Sequence, residues 1–413
     1  MFQTLEARPA DALLGLIRLF AQDTRSFKID LGVGVYKDPG GRTPVFAAVK
    51  AAEQRLVEMQ ETKAYLGPEG DLGYLELLGA LVFGTAWKEG SSRFASIQTP
   101  GGTGALRIGA DLLHEVLPRR RIWLGLPTWP NHAPIFRAAG LEIATYPYFD
   151  VATQTVQFDA LLAALDQAEP GDAILLHGCC HNPTGADLSP EQWEQVADVI
   201  EQRGLLPFVD LAYHGLGDGL EADLYGVRLL SRRAPGVVVA VSCSKNFGLY
   251  RDRIGALYVL TADRATAAIA TSHMAGHART SWSMPPDHGA AVVRLILEDD
   301  ILSRQWRDEL DAIQRRVSGI RAELAKYGAE SGAESGVESG GRNGAGNNRA
   351  GPVDLTAVGQ QKGMFSTLPL TREQVLQLRT DRAVYMADSG RINVAGLQLE
   401  QVPAFVEALR SLG

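Results

Sequence analysis

The chain has 413 residues, of which 46% are hydrophobic, and its formal net charge at pH 7 is −8. This length and hydrophobic content allow a large core. The slightly acidic charge argues against nucleic acid or an anionic membrane as a partner. No apolar run is long enough for a membrane span. Three cysteines are too few for a disulfide framework, and the N-terminus lacks the features of a signal peptide, so we expect a cytoplasmic protein.

The first part of the chain combines helical patterns with repeated short apolar runs. Amphipathic spacing predicts helices over residues 10–23 and 47–60, with an extended glycine-rich segment between them. From about residue 95, predicted strands alternate with helices such as 105–116 and 190–203. The strands are predicted at 97–98, 121–126, 141–146, 173–177, 206–210 and 237–241. This alternation predicts a mainly parallel sheet with helices on both faces.

The last hundred residues contain a long helical pattern over 301–326 and then a change of composition. Residues 328–351 include three tandem copies of a small residue followed by Glu-Ser-Gly. Such a segment buries too little apolar surface to offset its ordering entropy, so we interpret it as a flexible surface insertion. Beyond it, strands at 383–386 and 391–394 and a helix at 401–412 predict a smaller C-terminal lobe.

Lys245 directly follows the predicted strand 237–241 and has unusual neighbours. Ser242 and Ser244 flank it, and Arg253 follows eight positions later. Hydroxyl groups and a guanidinium suit a phosphate group. An amine beside a phosphate site suggests a Schiff base to pyridoxal phosphate (PLP), although a lone lysine at a strand end is more often a solvated surface residue.

That hypothesis requires a carboxylate for the pyridine nitrogen and a phenol for the ring oxygen. Asp210 ends the predicted strand 206–210, and Tyr213 lies three residues later. The carboxylate would keep the pyridine protonated, and the phenol would hydrogen-bond the ring oxygen. For the pair alone, a capping turn is the alternative interpretation.

Other turns at predicted strand ends carry residues that suit the same site. Asn182, after strand 173–177, is placed to donate to the ring oxygen or to a substrate carboxylate. Trp129, after strand 121–126, is suited to stack on the ring, and His132 to hydrogen-bond Asp210. Taken alone, the Asn182 segment indicates only a turn, and for Trp129 and His132 a core tryptophan and a surface histidine are about as favoured as the functional interpretation.

Two further segments suit anionic groups. Residues 99–104, Thr-Pro-Gly-Gly-Thr-Gly, precede an apolar helix, and helix N-terminal amides bind anions. The glycine spacing does not fit a dinucleotide-binding fingerprint. Arg391, between a turn and a predicted strand, can grip a substrate carboxylate with its forked guanidinium, although a surface arginine is the simpler interpretation.

Taken together, these motifs resemble the aspartate/aromatic aminotransferase family, which are PLP enzymes of fold type I. The resemblance covers nearly the whole chain, with residues 328–351 as the main break. The strings that carry it, in order, are LGVGVYKD at 31–38, YLG at 65–67, PGGTGAL at 100–106, WPNH at 129–132, HGCCHNPTG at 177–185, SKNFGLY at 244–250 and SGRINVAG at 389–396.

The resemblance implies an α/β fold. In fold type I, a large domain has a mainly parallel seven-stranded sheet between helices, and a smaller α+β domain is built from both termini. Residues 1–45 would then be an N-terminal arm and part of the small domain, 46–310 the large PLP-binding domain, and 311–413 the C-terminal small domain with the insertion. A homodimer with shared active sites is also implied.

The resemblance assigns a role to each matching residue and none to a metal. The implied catalytic residues are Lys245, Asp210 and Tyr213. The implied cofactor-binding residues are Gly102, Thr103, Trp129, Asn182, Asp210, Tyr213, Ser242, Ser244, Lys245, Arg253 and, from the neighbouring subunit, Tyr65. The implied substrate-binding residues are Gly34, Trp129, Asn182, Arg391 and, from the neighbouring subunit, Arg279. His132 and His177 are expected behind the cofactor.

Substrate choice depends on Arg279, which aligns with the family's arginine for a dicarboxylate side chain. Its presence favours aspartate, glutamate and 2-oxo diacids, but aromatic members also keep it. Ala64 and Met284 make the pocket less polar than in aspartate-specific members, whereas Lys37 and Thr43 fit the aspartate-preferring pattern. The sequence therefore predicts ping-pong amino transfer between aspartate and 2-oxoglutarate, with aromatic amino acids as further candidate substrates.

Three alternatives to this activity remain. Tyrosine or phenylalanine could be the main substrate, since the less polar pocket admits an aromatic side chain. A PLP-dependent lyase or decarboxylase is less favoured, because the same fold supports several reactions but the two substrate arginines suit transamination. A PLP-binding regulator without turnover is least favoured, because every catalytic position is filled.

Overall fold

The computed structural model describes residues 2–7, 12–335 and 353–412. The chain divides into two compact units. One is Pro44–Arg316, and the other combines Met1–Thr43 with Val317–Gly413. Among the described residues, no helix is both long enough and apolar enough to cross a membrane.

A seven-stranded sheet forms the centre of the Pro44–Arg316 unit. The order across the sheet is Phe94–Pro100, Ile254–Leu260, Val237–Ser242, Leu206–Leu211, Ala173–His177, Arg121–Leu126 and Glu142–Pro147. The strand Ile254–Leu260 is antiparallel to both of its neighbours, and every other pairing is parallel. The predicted α/β fold with a mainly parallel seven-stranded sheet is confirmed.

The strand Ile254–Leu260 was missing from the predicted elements. All seven of its residues are buried, so its sequence has no polar–apolar alternation and its period cannot be recognised. Gly255 pairs with Ser242 on one side and with Thr99 on the other. A Cβ at Gly255 would lie 2.6 Å from the carbonyl carbon of Gly101, so this close approach requires glycine.

Helices cover the sheet. The helix Gly101–Val116 buries an apolar stripe that includes Leu106, Ile108 and Leu113 in the same core cluster as Phe208 of the sheet. Burial of each such side chain contributes about 1.5–3 kcal/mol. Because this packing fixes the helix, its first turn is held beside the end of strand Phe94–Pro100.

The remaining helices and short strands of this unit are less directly involved in the site. The helices are Ala47–Met59, Leu72–Phe83, Thr85–Gly90, His132–Ala138, Phe158–Gln167, Pro190–Arg203, Leu220–Asp223, Tyr225–Arg233, Arg264–Ser281, His288–Glu298 and the start of Asp300–Ser335, with a 3-10 turn at Ser91–Arg93. Phe149–Asp150 pairs with Thr155–Val156. The helix Pro190–Arg203 has the predicted bounds because a Ser189 capping box starts it and Gly204, at φ 63°, ends it.

The second unit contains two small sheets. Ile29–Asp30 pairs in parallel with Val384–Tyr385, and Phe365–Thr367 pairs antiparallel with Arg391–Asn393. Its helices are Ala12–Gln22, Arg372–Arg382, Val402–Arg410 and the end of Asp300–Ser335, with 3-10 turns at Phe2–Thr4, Thr356–Gly359, Val394–Gly396 and Leu399–Gln401.

The helix predicted over 301–326 runs from Asp300 to Ser335, so the prediction that the pattern breaks at residue 328 was wrong. The alanine and glutamate residues of this stretch are good helix formers, and a helical glycine costs only about 1 kcal/mol, so the helix can continue through it. The remainder of the predicted insertion, 336–351, lies outside the described residues.

Arg321 is a buried cation in the second unit. It is 2% exposed. The guanidinium donates to one hydroxyl and to several backbone carbonyl oxygens, namely Ser366 Oγ and the carbonyls of Val358, Lys362, Gly363 and Phe365. One side chain thus holds the loop that leads into strand Phe365–Thr367.

Replacement of Arg321 by leucine is expected to lower the free energy of unfolding by about 3 kcal/mol, because several buried carbonyls would lose their donor. Urea denaturation measures this change. Arg372→Leu, at an exposed position paired with Asp388, is the matched control and should change stability by less than about 1 kcal/mol. Equal effects of the two substitutions would show that Arg321 does not hold the loop.

Candidate active site

Lys245, Asp210 and Tyr213 lie together at one edge of the sheet. Asp210 belongs to strand Leu206–Leu211 and pairs in register with Ala240 of the neighbouring strand. Tyr213 follows the first strand and Lys245 follows the second, and parallel strands end at the same edge. The Nζ atom of Lys245 lies 4.5 Å from the centroid of the Tyr213 ring.

The pKa of the Lys245 amine is shifted towards neutral pH. Burial lowers the pKa of Lys245 to about 8, and the positive charge of Arg253 acts in the same direction, against the opposing effect of Asp210. A lysine with this pKa is present in part as the free amine near pH 7. It can therefore act as a nucleophile and can accept or deliver a proton.

Asp210 remains an anion in its buried position. Burial raises its pKa, but the hydrogen bond from His132 and the nearby positive charges outweigh burial, so the pKa is lowered overall. The His132 Nε2 atom lies 3.0 Å from Asp210 Oδ2. A buried carboxylate of this kind suits a cationic ligand group such as a protonated pyridine nitrogen.

A hydrogen-bonded chain extends behind Asp210. Thr128 Oγ1 lies 2.8 Å from His132 Nδ1 and 3.0 Å from His177 Nε2, and the backbone N–H of Asn182 donates to His177 Nδ1 at 3.4 Å. Burial, together with the charge of His132, lowers the pKa of His177 to about 3, so His177 is neutral. The neutral His177 ring thus has one donor and one acceptor, and the chain fixes the orientation of His132 towards Asp210.

Asn182 lies beside Tyr213. Its Nδ2 atom donates to the Tyr213 hydroxyl oxygen at 3.3 Å, and its buried Oδ1 atom has no hydrogen-bond partner within the described part of the chain. Asp187 accepts the backbone N–H groups of Cys180 and His181 at 2.7 and 2.8 Å and so fixes the loop before Asn182. An unpaired buried amide oxygen beside the phenol is consistent with a polar ligand group at this place.

Ser242, Ser244 and Arg253 surround the first turn of helix Gly101–Val116. Arg253 Nη1 donates to Ser244 Oγ at 3.2 Å. A Cβ at Gly101 would lie 2.5 Å from Arg253 Nη2, and one at Gly102 would lie 3.0 Å from the Ser242 Cβ, so the glycines leave room there. Thr103 follows in the same turn. Hydroxyls, a guanidinium and helix N-terminal amides form a donor set for a phosphate group.

Trp129 and two exposed residues complete the candidate residues of this unit. The Trp129 ring is partly buried and packs edge-on against His132, with 5.3 Å between centroids. Tyr65 is 93% exposed. Arg279 is also exposed, and its Nη1 atom donates to Ser283 Oγ at 2.6 Å. Their exposure leaves Tyr65 and Arg279 available to a neighbouring molecule, as a shared site would require.

Gly34 and Arg391 lie together in the second unit. Arg391 Nη2 donates to the Gly32 carbonyl at 3.1 Å, and the guanidinium lies 4.5 Å from the centroid of the Phe365 ring. A Cβ at Gly34 would lie 2.9 Å from the same ring. The phenyl ring therefore supports the arginine on one side and leaves room only for glycine at position 34.

Sequence reasoning did not identify some residues that shape the site. Thr128 links two histidines, Asp187 fixes the Asn182 loop, and His214 and Asn246 are buried beside Tyr213 and Lys245. The contacts of Thr128 with His177 and of His214 with Asn246 join segments far apart in the chain, whereas the Asp187 contacts are local. The only signal in the sequence was the position of each residue next to a motif.

Comparison with known proteins identifies relatives along the whole chain. The family model "Aminotransferase class I and II" matches residues 26–409. A tyrosine aminotransferase of Rhizobium meliloti is 52% identical over 412 residues, covering 100% of both chains. An aspartate aminotransferase of Escherichia coli is 43% identical over 414 residues, covering 99% of both.

A similar solved structure is the aromatic-amino-acid aminotransferase of Burkholderia pseudomallei covalently bound to pyridoxal phosphate. It superposes with a TM-score of 0.91 at 38% sequence identity and covers 100% of this chain and 99% of its own. The agreement in fold extends over the segments that carry the candidate site residues.

Proposed function

The chain belongs to the aminotransferase class I and II family, and from this premise we propose that it moves amino groups between 2-oxoglutarate and both dicarboxylic and aromatic amino acids. The observation that carries the proposal is the placement of Lys245, whose amine has a lowered pKa, against Tyr213 and near the Asp210 anion. The proposed phosphate donors Ser242, Ser244 and Arg253 lie close to Lys245 in sequence, and Arg253 approaches Gly101 at the start of helix Gly101–Val116.

Enzymes of this family use PLP, and the residues present fit it. Its phosphate group would be held by Gly102, Thr103, Ser242, Ser244 and Arg253, and in our proposal by Tyr65 of a neighbouring subunit. Asp210 would face the ring nitrogen, Asn182 and Tyr213 the ring oxygen, and Trp129 the ring face. When bound, PLP supplies an aldehyde that links to amines and a pyridinium ring that withdraws electrons from the substrate α-carbon.

The chain's own residues supply attachment, charge and proton transfer. Lys245 would provide the amine to which the cofactor attaches and, as a free amine, would move the proton at the substrate α-carbon; a pKa of about 8 suits both tasks. His132 holds Asp210 in place as an anion. The residues that the family resemblance implies for the substrate α-carboxylate are Asn182, Gly34 and Arg391.

The substrate range follows from one cation and two apolar residues. Arg279 makes no ion pair among the described residues, so its guanidinium is available to a side-chain carboxylate. Met284 Sδ accepts the Leu66 backbone N–H at 3.0 Å, which places this apolar side chain beside the segment with Ala64 and Tyr65. Relatives named for tyrosine and for aspartate both fit such a mixed pocket.

We further propose a cytoplasmic homodimer whose subunits exchange Tyr65 and Arg279. Several large apolar side chains on the same unit are exposed, and burial against a second copy would remove them from water. They include Val57, Met59, Leu66 and Leu72. Sedimentation measures the oligomeric state directly, and a monomer with full activity would rule out shared sites.

A half-reaction titration tests the substrate range. Purified PLP-loaded protein is mixed with L-aspartate and, separately, with L-phenylalanine, and conversion of the bound cofactor to its aminated form is followed by absorbance. Both amino acids are expected to convert it. Conversion by aspartate alone would restrict the enzyme to dicarboxylates, and conversion by neither would favour a lyase or decarboxylase.

Replacement of Arg279 by leucine is expected to separate the two substrate classes. The kcat/KM for aspartate should fall by about 1,000-fold or more, because the side-chain carboxylate loses its charged partner, whereas that for phenylalanine should change by less than about tenfold. Arg264→Leu, an exposed arginine at the start of the same helix, is the matched control. Equal losses for both substrates would show that Arg279 does not bind the side-chain carboxylate of the substrate.

A further inference from the structure

Two turns in the site are built alike, and each begins with a site residue. One runs from Tyr213 and is closed by the Leu216 N–H donating to the Tyr213 carbonyl at 3.0 Å. The other runs from Lys245 and is closed by the Gly248 N–H donating to the Lys245 carbonyl at 3.1 Å. The backbone position of each site residue therefore depends on how its turn is held.

The residues directly after Tyr213 and Lys245 join the two turns. These residues are His214 and Asn246, both with 0% exposure. Asn246 Nδ2 lies 2.9 Å from His214 Nε2. This hydrogen bond is a side-chain link between the two turns, one residue away from both the phenol and the amine.

The lysine turn is also fixed on its other side. Trp306 Nε1 donates to the Asn246 carbonyl at 2.8 Å, and the Phe247 ring stacks on the Trp306 ring with 4.4 Å between centroids and 2° between planes. On the tyrosine turn, Asp223 accepts the Gly215 N–H at 2.8 Å. With both turns anchored in this way, the His214–Asn246 bond sets their separation.

The pair is costly as a purely structural element. Within the described residues, His214 Nδ1 and Asn246 Oδ1 have no hydrogen-bond partner, and each unpaired buried polar atom costs about 1–3 kcal/mol. Two apolar side chains would fill the same space without that cost. Features that lower stability, such as unpaired buried polar atoms, concentrate at functional sites. Burial also lowers the pKa of His214 to about 4, so one ring nitrogen stays an acceptor for Asn246 at neutral pH.

We propose that His214 and Asn246 are positioning residues that fix the distance between Lys245 and Tyr213. The inference rests on the proposed function, because it assigns the pair to the proton transfer that Lys245 carries out. Neither residue needs to touch substrate or cofactor. A shift of the lysine turn displaces the amine from the phenol, and a displacement of about 1 Å in a reacting group can lower a rate about 100-fold.

The test compares His214→Leu, which removes the hydrogen bond, with His214→Gln, whose terminal amide can restore it. In PLP-loaded protein, His214→Leu should lower kcat with aspartate by about tenfold or more while KM changes less than about twofold, and His214→Gln should stay within about threefold of wild type. Asn246→Leu should match His214→Leu, and the double variant should lose no more than either single variant.

A second readout does not use turnover. The visible absorbance of the Lys245–cofactor linkage is titrated against pH, and its midpoint should shift by about half a pH unit in His214→Leu but not in His214→Gln. Phe94→Leu is the control, because it weakens the aromatic cluster with Phe83 and Trp87, which belongs to neither turn. It should lower the melting temperature and leave the midpoint unchanged.

Several outcomes would overturn the inference. One is a normal midpoint and kcat in His214→Leu and Asn246→Leu, whether or not the melting temperature falls. Another is failure of glutamine to restore either quantity in a folded protein. Inactive wild-type protein would refute the proposed function instead, and the linkage titration would still report on the pair.

Discussion

Replacement of Lys245 by alanine is expected to lower kcat by at least about 10,000-fold for every amino acid substrate. The substitution removes the group that carries the cofactor and the base that moves the α-proton, and no other described lysine approaches Tyr213 in this way. Single-turnover absorbance after mixing with aspartate measures the loss.

The cofactor should nevertheless stay in the Lys245→Ala protein. The donors around its phosphate, Ser242, Ser244 and Arg253, are unchanged, so PLP should remain bound without a covalent link after gel filtration. Lys88→Ala, at the last turn of a short helix, is the matched control and should keep full activity. Turnover at wild-type speed in Lys245→Ala would refute the mechanism.

Replacement of Asp210 by asparagine is expected to have the second largest effect, a loss of about 1,000-fold in kcat. Asparagine is nearly isosteric but neutral, so it cannot keep the ring nitrogen protonated, and the electron-withdrawing effect of the ring is lost. His132 remains close enough to hydrogen-bond the amide oxygen, which keeps the fold of the site. The measurements are kcat and the dissociation constant for PLP, which should rise.

Asp210→Glu keeps the charge and serves as the comparison. It should retain more activity than Asp210→Asn although it disturbs packing more, because charge dominates. If asparagine were the better replacement, the carboxylate charge would not be the property in use.

The lowered pKa of Asp210 also predicts a pH effect on stability. A carboxyl group whose pKa is lowered by folding stabilises the protein at pH values above its ordinary pKa of 3.8. This contribution is lost as the pH falls through the folded-state pKa. The stability difference between wild type and Asp210→Asn should therefore shrink as the pH is lowered below about 4.

The strands that carry the site were predictable because each is a short apolar run followed by turn residues. Asp210 and Lys245 were placed correctly at strand ends for that reason. The strand Ile254–Leu260 was not predicted, because a fully buried strand shows no alternation of polar and apolar residues. The prediction ended the long helix too early, before Gly328, because the low helix propensity of a glycine is only weak evidence that a helix stops there.

Contacts between distant segments were beyond sequence reasoning. The link between His214 and Asn246 spans 32 positions, and that between Thr128 and His177 spans 49. Such pairs depend on strand order and register, which a single sequence does not encode locally. Tyr65 and Arg279 are a separate case, since their implied partners belong to another molecule.

The antiparallel strand has a consequence for how the site is assembled during folding. Because Ile254–Leu260 runs against Val237–Ser242, the chain between them stays at one edge of the sheet, and Ser242, Lys245 and Arg253 lie on a single hairpin. Contacts of low sequence separation need little loop-closure entropy and form early. The phosphate donors Ser242, Ser244 and Arg253 and the reactive amine are therefore expected to associate before the slower parallel crossovers deliver Asp210 and Asn182. An intermediate with this hairpin formed would hold these three anion-binding residues before the residues that control the chemistry.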